Sequence, residues 1–488
     1  MTVKEVNILK AVAVAGLLAS AAGLAQAQSA AAPAAAPAAP AGDALSWHGI
    51  TLYGIVDIGL QNQSHGAPIS DYFPAGSSDI VQKNSNHSIT GLTPSNMAQS
   101  RVGLNGLEPL VGDWSAVFKL ETFFNPQSGN ISDALKSLVQ NNGRPLASQT
   151  TGIDSSVAGQ PFIQAFAGFS SKSMGTITFG RQNTVLADGI AKYDPNFASQ
   201  AFSLIGLSGT AAGGGDTQDR RLDSSVKYVA TYGGVAHLGA QYKFNGSYGG
   251  ANSALEISLG GEFAGLSIDG YYAKVTDAVT VSSLSSAQVN GAVVVCPAVI
   301  PAGTYCGAGA STDNALAATI SDNTTFAVLG LYNFGALNSG LAGIKLYAGY
   351  EHIKYANPKT PLGAGFDDIG GYKLQIVNNA AFPSDKVLEV FWAGVRYTVV
   401  APLDLNFAYY GYKQNSYAVG ANAGCNTNKS GQCSGTLDDL SFNADYRLTK
   451  RFDAYAGVMY TGVKNGLANG YIFHTTDITT TTGVRFKF

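Results

Sequence analysis

Most of this chain repeats one pattern, in which about ten residues alternate between apolar and polar side chains before a turn. Between Asp439 and Leu448, for example, the even-numbered residues are apolar and the odd-numbered residues are polar. Successive side chains of a β-strand point to opposite faces of its sheet. The pattern therefore predicts strands that each have one apolar and one polar face.

The alternating stretches predict sixteen strands, an even number, as is typical of bacterial single-chain membrane barrels. They span residues 49–62, 98–108, 113–125, 162–172, 175–183, 223–230, 235–245, 254–263, 266–277, 324–334, 343–356, 386–399, 403–416, 437–449, 451–464 and 475–488. Short connections such as 401–402 alternate with long ones, which predicts tight turns at one end and long loops at the other. The long connections are 63–97, 126–161, 184–222, 278–323, 357–385 and 417–436.

The composition favours a membrane protein over a soluble one. Charged residues make up 12% of the chain, about half of the ~25% usual in soluble domains. A soluble β-sandwich is the alternative, but its outward face would be charged, whereas one face of many strands here is almost free of charge. Beyond the N-terminus no apolar run approaches the ~20 residues that a membrane helix needs. We therefore predict an all-β fold, a transmembrane antiparallel β-barrel.

Several other classes of function find no support in the sequence. The net charge of −3 argues against nucleic acid as a partner, because binding to phosphates requires clustered Lys and Arg. The six histidines are scattered, and no HExxH, GxSxG or CxxC motif occurs. The glycine-rich stretch 211–216 does not lie between a strand and a helix, so we interpret it as loop. We predict no enzyme, no metal and no cofactor.

The N-terminus predicts export. Lys4 and Lys10 precede an apolar stretch from Ala11 to Leu24, and a small-x-small site ends at Ala27. This order is typical of a secretory signal peptide, here residues 1–27, and a short membrane anchor is the alternative. Residues 28–46 are an Ala/Pro-rich leader, and the barrel is expected to span 47–488.

The four cysteines form two local pairs, Cys296 with Cys306 and Cys425 with Cys433. In an exported protein an even number of cysteines favours disulfides, and these two pairings close the shortest loops. Zinc is the alternative, but no further His or Cys lies at ligand spacing from either pair.

Seven segments, in order, resemble the trimeric general porins of β-proteobacterial outer membranes. They are residues 49–57 (GITLYGIVD), 100–106 (SRVGLNG), 114–121 (WSAVFKLE), 165–169 (AFAGF), 175–182 (GTITFGRQ), 221–228 (RLDSSVKY) and 483–488 (GVRFKF). The resemblance implies a homotrimer in the lipid of the Gram-negative outer membrane, passing ions and small hydrophilic solutes. It also implies that Phe488 is the signal read by the barrel-assembly machinery.

The resemblance further implies a pore constriction. In that family the third long loop folds into the lumen opposite basic residues of the wall. Here the loop is 184–222, and the residues in these roles are the acidic Asp188, Asp194, Asp216 and Asp219 and the basic Arg101, Arg181 and Arg221, with Lys119 and Arg220 as weaker candidates. Ile163 stands where relatives commonly have Arg, so we expect weak ion selectivity rather than a strong preference for anions.

Two alternatives to a general porin stay open at this stage. A substrate-specific channel would need a ladder of binding residues in its lumen, for which Tyr347, Trp392, Tyr409 and Tyr455 are candidates. A surface binding or adhesion protein could use a barrel only as an anchor. Anchors of eight to ten strands are filled with side chains, whereas sixteen strands leave an aqueous channel. The predicted strand count therefore favours a channel.

Overall fold

The computed structural model describes residues 45–65, 88–127, 129, 131, 162–205, 221–244, 253–283, 316–359, 368–369, 372–373, 376–378, 380–427, 430–469 and 474–488. The strands of the first half are β1 (Leu45–Trp47), β2 (Ile50–Gln63), β3 (Ile89–Pro94), β4 (Arg101–Pro109), β5 (Trp114–Phe123), β6 (Gln164–Ser171), β7 (Gly175–Asn183), β8 (Arg221–Tyr232), β9 (Ala236–Lys243), β10 (Ser253–Phe263) and β11 (Leu266–Ser283). The remaining strands are β12 (Leu316–Asn333), β13 (Ile344–Ala356), β14 (Asp368–Ile369), β15 (Tyr372–Lys373), β16 (Ile376–Asn378), β17 (Lys386–Val400), β18 (Leu403–Gln414), β19 (Gly435–Arg447), β20 (Phe452–Asn465) and β21 (Thr476–Lys487).

The long strands pair with their sequence neighbours in antiparallel fashion, and the sheet closes on itself where β21 pairs with β2. The closed sheet has sixteen positions, taken by β2, β3 together with β4, β5–β13 and β17–β21. The predicted all-β antiparallel barrel is therefore confirmed. At the seam Asp57 lies opposite Arg485, and the ladder runs on to Phe488, whose backbone exchanges two hydrogen bonds with Gly54.

The second position of the barrel is split between two strands. β3 pairs with the Ile58–Gln63 part of β2, and β4 pairs with the Ile50–Ile55 part. The prediction that 63–97 is all connection was wrong for β3, whose Gly91 and Pro94 are residues typical of loops. Pairing with β2 overrides that local preference, and the proline stands where the ladder breaks.

The connection predicted at 278–323 was wrong at both ends, because β11 extends to Ser283 and β12 begins at Leu316. A register shift between Val275 and Ala278, with Asp277 at a φ of +51°, interrupts the alternation there. Because of this irregularity, strict alternation did not predict that the strand continues beyond residue 277.

Tight turns lie at one end of the barrel. Between β10 and β11 two residues suffice, and both Ala264 and Gly265 have positive φ, as a two-residue hairpin turn of the right twist requires. The connection between β12 and β13 is longer and contains the 3-10 turns Phe334–Ala336 and Ser339–Leu341.

The outer and inner faces of the wall carry the side chains that the alternation predicted. In β2 Leu52 and Leu60 are exposed on the outside, whereas Asp57 and Gln61 are buried inside. The opposed residues of β19, β20 and β21 repeat this division. An apolar belt therefore faces outward and a polar surface faces the lumen, as expected of a barrel in lipid.

The described residues contain one α-helix, α1 (Val185–Tyr193), within the connection between β7 and β8. Further 3-10 turns occur at Gly420–Asn422 and Gly466–Ala468. Across the described part of the chain, no helix has the length and apolar character needed to cross a membrane.

Replacing Gly54 by Val should weaken closure of the barrel, because a Cβ at this position would overlap the aromatic ring of Phe488. Gly91→Val is the matched control, since this strand glycine has open space around its Cβ position. We expect a smaller fraction of Gly54→Val than of Gly91→Val to reach the folded form, measured by heat-modifiable mobility in SDS gels. Equal folded fractions would show that the Phe488 contact does not contribute to closure.

Candidate functional site

Loop 3 is the connection between β7 and β8, of which residues 184–205 are described, and this described part enters the barrel with α1. Thr184 caps the helix by accepting a hydrogen bond from the Ala187 backbone N–H at 3.1 Å. Two wall side chains bind the free N–H groups of the first turn: Val185 N donates to Gln241 Oε1 (3.1 Å) and Leu186 N to Glu256 Oε2 (3.0 Å). Because Gln241 and Glu256 project from β9 and β10, α1 is held against the inner wall.

After α1 the loop is bonded to strands much further along the wall. Trp392 Nε1 of β17 donates to the Tyr193 carbonyl at 3.0 Å. The Tyr410 hydroxyl of β18 donates to Asp194 Oδ1 at 2.7 Å. Loop 3 therefore contacts the inside of the barrel from β9 to at least β18.

An apolar cluster fills the space between loop 3 and this part of the wall. Its buried members include Leu186, Ile190, Tyr193, Leu204 and Ile205 of the loop and Ile353, Leu388, Val390, Trp392, Leu437, Met459 and Val463 of the wall. The alternation predicted a polar inner face and gave no indication of this cluster. The available signal was the stretch 390–393 (VFWA), where four consecutive residues, and therefore both faces of the strand, are apolar.

On β4 and β5 the inner wall carries a charged group centred on Glu121. Its carboxylate accepts hydrogen bonds from the Tyr53 hydroxyl (2.7 Å) and Gln164 Nε2 (2.9 Å). Lys119 Nζ lies 3.4 Å and Arg101 Nε 3.8 Å from Glu121 Oε2. Arg101 and Lys119 are thus brought together with their side chains 33% and 26% exposed, while Glu121 is 3% exposed. Neither Glu121 nor Tyr53 was among the site residues predicted from the sequence.

Arg221, at the start of β8, belongs to the same region of the inner wall. Its guanidinium lies 4.8 Å from the ring centroid of Phe123, and Phe123 is the register partner of Arg101. An arginine over an aromatic ring is stabilised by a cation–π interaction.

Arg181 lies on the opposite surface. It is in register with Ala165, two residues from the exposed pair Ala167 and Phe179, so its side chain belongs to the outer face. It forms an ion pair with Asp223. The expectation that Arg181 faces loop 3 was wrong, because unbroken alternation along β7 puts its side chain on the same face as the exposed Phe179.

The two described aspartates of loop 3 differ in position. Asp188 Oδ2 lies 2.5 Å from Lys227 Nζ of β8, and its charge also acts on Lys119. Asp194 is fully buried, accepts hydrogen bonds from Tyr410 and from the Ala198 N–H, and does not reach lumen water. Burial raises the pKa of the Asp194 carboxyl. Asp188 therefore remains a candidate for the constriction, whereas Asp194 fixes the shape of the loop.

Five of the remaining predicted site residues lie outside the described residues: Asp216, Asp219, Arg220, Cys296 and Cys306. The structure does join Cys425 to Cys433 by a disulfide, in the connection between β18 and β19. The predicted signal peptide also falls outside, and β1 includes the last residues of the predicted leader, Leu45 and Ser46.

Nearer the tight turns, charges on the inner wall are paired with one another. Asp404 Oδ2 lies 2.5 Å from Arg396 Nη2 and 2.6 Å from Arg447 Nη1. Arg485 Nη2 lies 2.8 Å from Asp445 and 2.7 Å from Asp453. The three arginines and three aspartates of these pairs largely cancel one another in charge.

Comparison with known proteins agrees with this architecture. The family model described as Gram-negative porin matches residues 11–466. An outer membrane porin protein of Bordetella pertussis is 30% identical over 207 residues, which are 42% of this chain and 45% of that protein. The alignment thus spans less than half the length of that relative.

Solved structures of similar fold cover nearly the whole chain. The anion-selective porin from Comamonas acidovorans superposes with a TM-score of 0.54 at 17% identity, over 90% of this chain and 99% of that one. A loop L8 deletion mutant of OmpT from Vibrio cholerae gives a TM-score of 0.51 at 15% identity, over 90% and 99% of the two chains. At these identities the likeness concerns the fold alone. With the match over residues 11–466 and a closed barrel of sixteen positions, the chain belongs to the Gram-negative porin family.

Proposed function

We propose that this protein is an outer-membrane channel through which ions and small hydrophilic solutes diffuse passively. Its narrowest part lies between loop 3 and the wall of β4 and β5. The observation that supports this most is the position of loop 3: it is bonded to β9, β10, β17 and β18, while the side chains of Arg101 and Lys119 remain partly exposed on the inner face.

Charges at such a constriction bias permeation without trapping the solute. Two unit charges 4 Å apart in water interact by about 1 kcal/mol, enough to favour one ion and weak enough for it to leave. At the β4–β5 face of the proposed constriction the cations are Arg101, Lys119 and Arg221, with Glu121 as the carboxylate between Arg101 and Lys119, while Lys227 is paired with Asp188. We therefore keep the prediction of weak selectivity and assign its direction to anions.

The functional unit in this proposal is a homotrimer. One structure of similar fold, with a TM-score of 0.50, is the trimer form of OmpT from Vibrio cholerae. Assembly of the terminal strand is proposed to depend on Phe488, whose backbone completes the ladder to β2. Chemical cross-linking of the purified protein tests whether it is a trimer. Membrane insertion of a chain lacking Phe488 tests whether assembly depends on that residue.

The residues suggested for a substrate-binding ladder do not favour a substrate-specific channel. Tyr347, Trp392 and Tyr455 are buried, and the last two are bonded to Tyr193 and Asp57. Tyr409 is bonded to Asp438 on the outer face. None of these four rings is therefore presented to a solute in the lumen.

Removing either exposed cation of the wall should move the reversal potential towards cation selectivity. We expect Arg101→Ala and Lys119→Ala each to lower the anion-to-cation permeability ratio by up to about fivefold, the equivalent of ~1 kcal/mol. Arg181→Ala is the control and should leave the ratio unchanged, since its side chain lies on the outer face. Planar bilayers under a tenfold salt gradient give the measurement, and an equal shift in all three variants would refute the assignment of the two faces.

Asp188→Asn should move the reversal potential in the opposite direction, because it removes a loop carboxylate that faces wall cations. Asp223→Asn, which removes a carboxylate on the outer face, is the matched control. The difference between the two variants should shrink in concentrated salt, as the Debye length falls from ~30 Å at 0.01 M to ~3 Å at 1 M. A shift that is independent of salt would mean that Asp188 acts through loop structure and not through its charge.

A further inference from the structure

The break between β3 and β4 is an inward fold of the wall. We call Ser95–Ser100 the inward segment; five of its six residues are buried and Ser95 has a φ of +62°. A positive φ is uncommon for serine and persists where the surroundings fix the backbone. The chain leaves the barrel wall after Pro94 and returns to it at Arg101.

Asp57 of β2 holds the inward segment. Its Oδ2 accepts hydrogen bonds from the backbone N–H groups of Met97 and Ala98, both at 2.9 Å. Its Oδ1 accepts one from the Tyr455 hydroxyl of β20 at 2.5 Å. The backbone carbonyl of Asp57 also accepts a hydrogen bond from Ser95 N at 2.8 Å. Both the side chain and the backbone of Asp57 therefore bind the inward segment. Asp57 is fully buried, and Arg485 is the cation that acts on its charge.

The inward segment in turn binds loop 3 beyond α1. The Asn96 carbonyl accepts from Ala201 N at 2.9 Å and from Ser199 Oγ at 3.1 Å. Gln200 Nε2 donates to Gln99 Oε1, and the Phe202 ring packs edge-on against the Tyr455 ring at 6.5 Å. This part of loop 3 is therefore attached to a projection of the wall as well as to the wall itself.

The same segment ends at a residue of the charged wall. Ser100 is followed directly by Arg101, and the Ser100 carbonyl accepts from Phe124 N at 3.1 Å. One short fold thus connects both sides of the proposed constriction, loop 3 on one side and Arg101 on the other.

We propose that Asp57 is a positioning residue for permeation. Through the inward segment it fixes the distance between loop 3 and Arg101, and so it sets the width of the channel. This inference rests on the proposed constriction. The role of Asp57 is an addition to that constriction, because the width of the channel is then controlled by a residue that the solute does not contact.

Substitutions at position 57 distinguish an effect of the Asp57 hydrogen bonds from an effect of its negative charge. Asp57→Ala leaves two backbone N–H groups and the Tyr455 hydroxyl without their acceptor. Asp57→Asn removes the charge, but its amide oxygen can still accept from Met97 and Ala98, and its NH₂ can donate to Tyr455. We expect Asp57→Ala to show a higher and more variable single-channel conductance and to admit larger poly(ethylene glycol) molecules, while Asp57→Asn keeps the wild-type polymer cut-off.

Asp477→Ala is the matched control. Asp477 is also buried on the inner face and accepts a backbone N–H, that of His65 at 2.9 Å, but its partners are Ser64, His65 and Thr479 and not loop 3. It should keep the wild-type polymer cut-off. Should Asp57→Ala fail to fold, Tyr455→Phe removes one of the same hydrogen bonds and should shift the cut-off in the same direction.

The inference is overturned if folded Asp57→Ala keeps the wild-type cut-off, or if Asp57→Asn changes it as much as Asp57→Ala does. An unchanged cut-off in Tyr455→Phe, where only that variant folds, also overturns it. The Lys119→Ala variant distinguishes a failure of the proposed role of Asp57 from a failure of the proposed constriction. If Lys119→Ala shifts the reversal potential and Asp57→Ala changes nothing, only the role of Asp57 fails. If neither variant changes permeation, the proposed constriction fails with it.

Discussion

Inside a membrane the backbone N–H and C=O groups find no water, so each needs a partner within the protein. A sheet satisfies this requirement only when it has no open edge, and the pairing of β21 with β2 removes the edges here. Most other features of the wall follow from this closure. The apolar residues must face lipid, the polar residues must face the lumen, and the chain must end next to where the first long strand begins.

The same requirement applies to loop 3, whose backbone enters the barrel. Its polar groups are bound by wall side chains, as when the Tyr412 hydroxyl donates to the Leu204 carbonyl at 2.7 Å. The apolar cluster between the loop and strands such as β17 excludes water from one side of the loop. In the proposed channel, the lumen that remains is bounded by the charged residues of β4 and β5, which would explain how a polar interior and a large apolar cluster coexist in one barrel.

The alternation along the sequence was sufficient to predict the wall. Every one of the sixteen predicted stretches overlaps a long strand, because one buried and one lipid-facing surface leave a strong period of two. It failed at Ile89–Pro94, where a strand contains residues typical of a loop. At Arg181 the alternation gave the outer face, and the role carried over from the resemblance was the part that failed. Loop 3 could be located by resemblance. The position of α1, the burial of Asp194 and the hydrogen bonds of Asp57 to the inward segment could not, because they depend on contacts between residues far apart in the sequence.

The central claim is that solutes pass between loop 3 and the inner wall of β4 and β5. A single cysteine introduced as Lys119→Cys would place a reactive thiol on that route, whereas Arg181→Cys would place one on the outer face. Addition of a bulky, water-soluble thiosulfonate to single channels tests the route directly. The account predicts stepwise loss of conductance in Lys119→Cys and none in Arg181→Cys. Unchanged conductance in fully modified Lys119→Cys would contradict it.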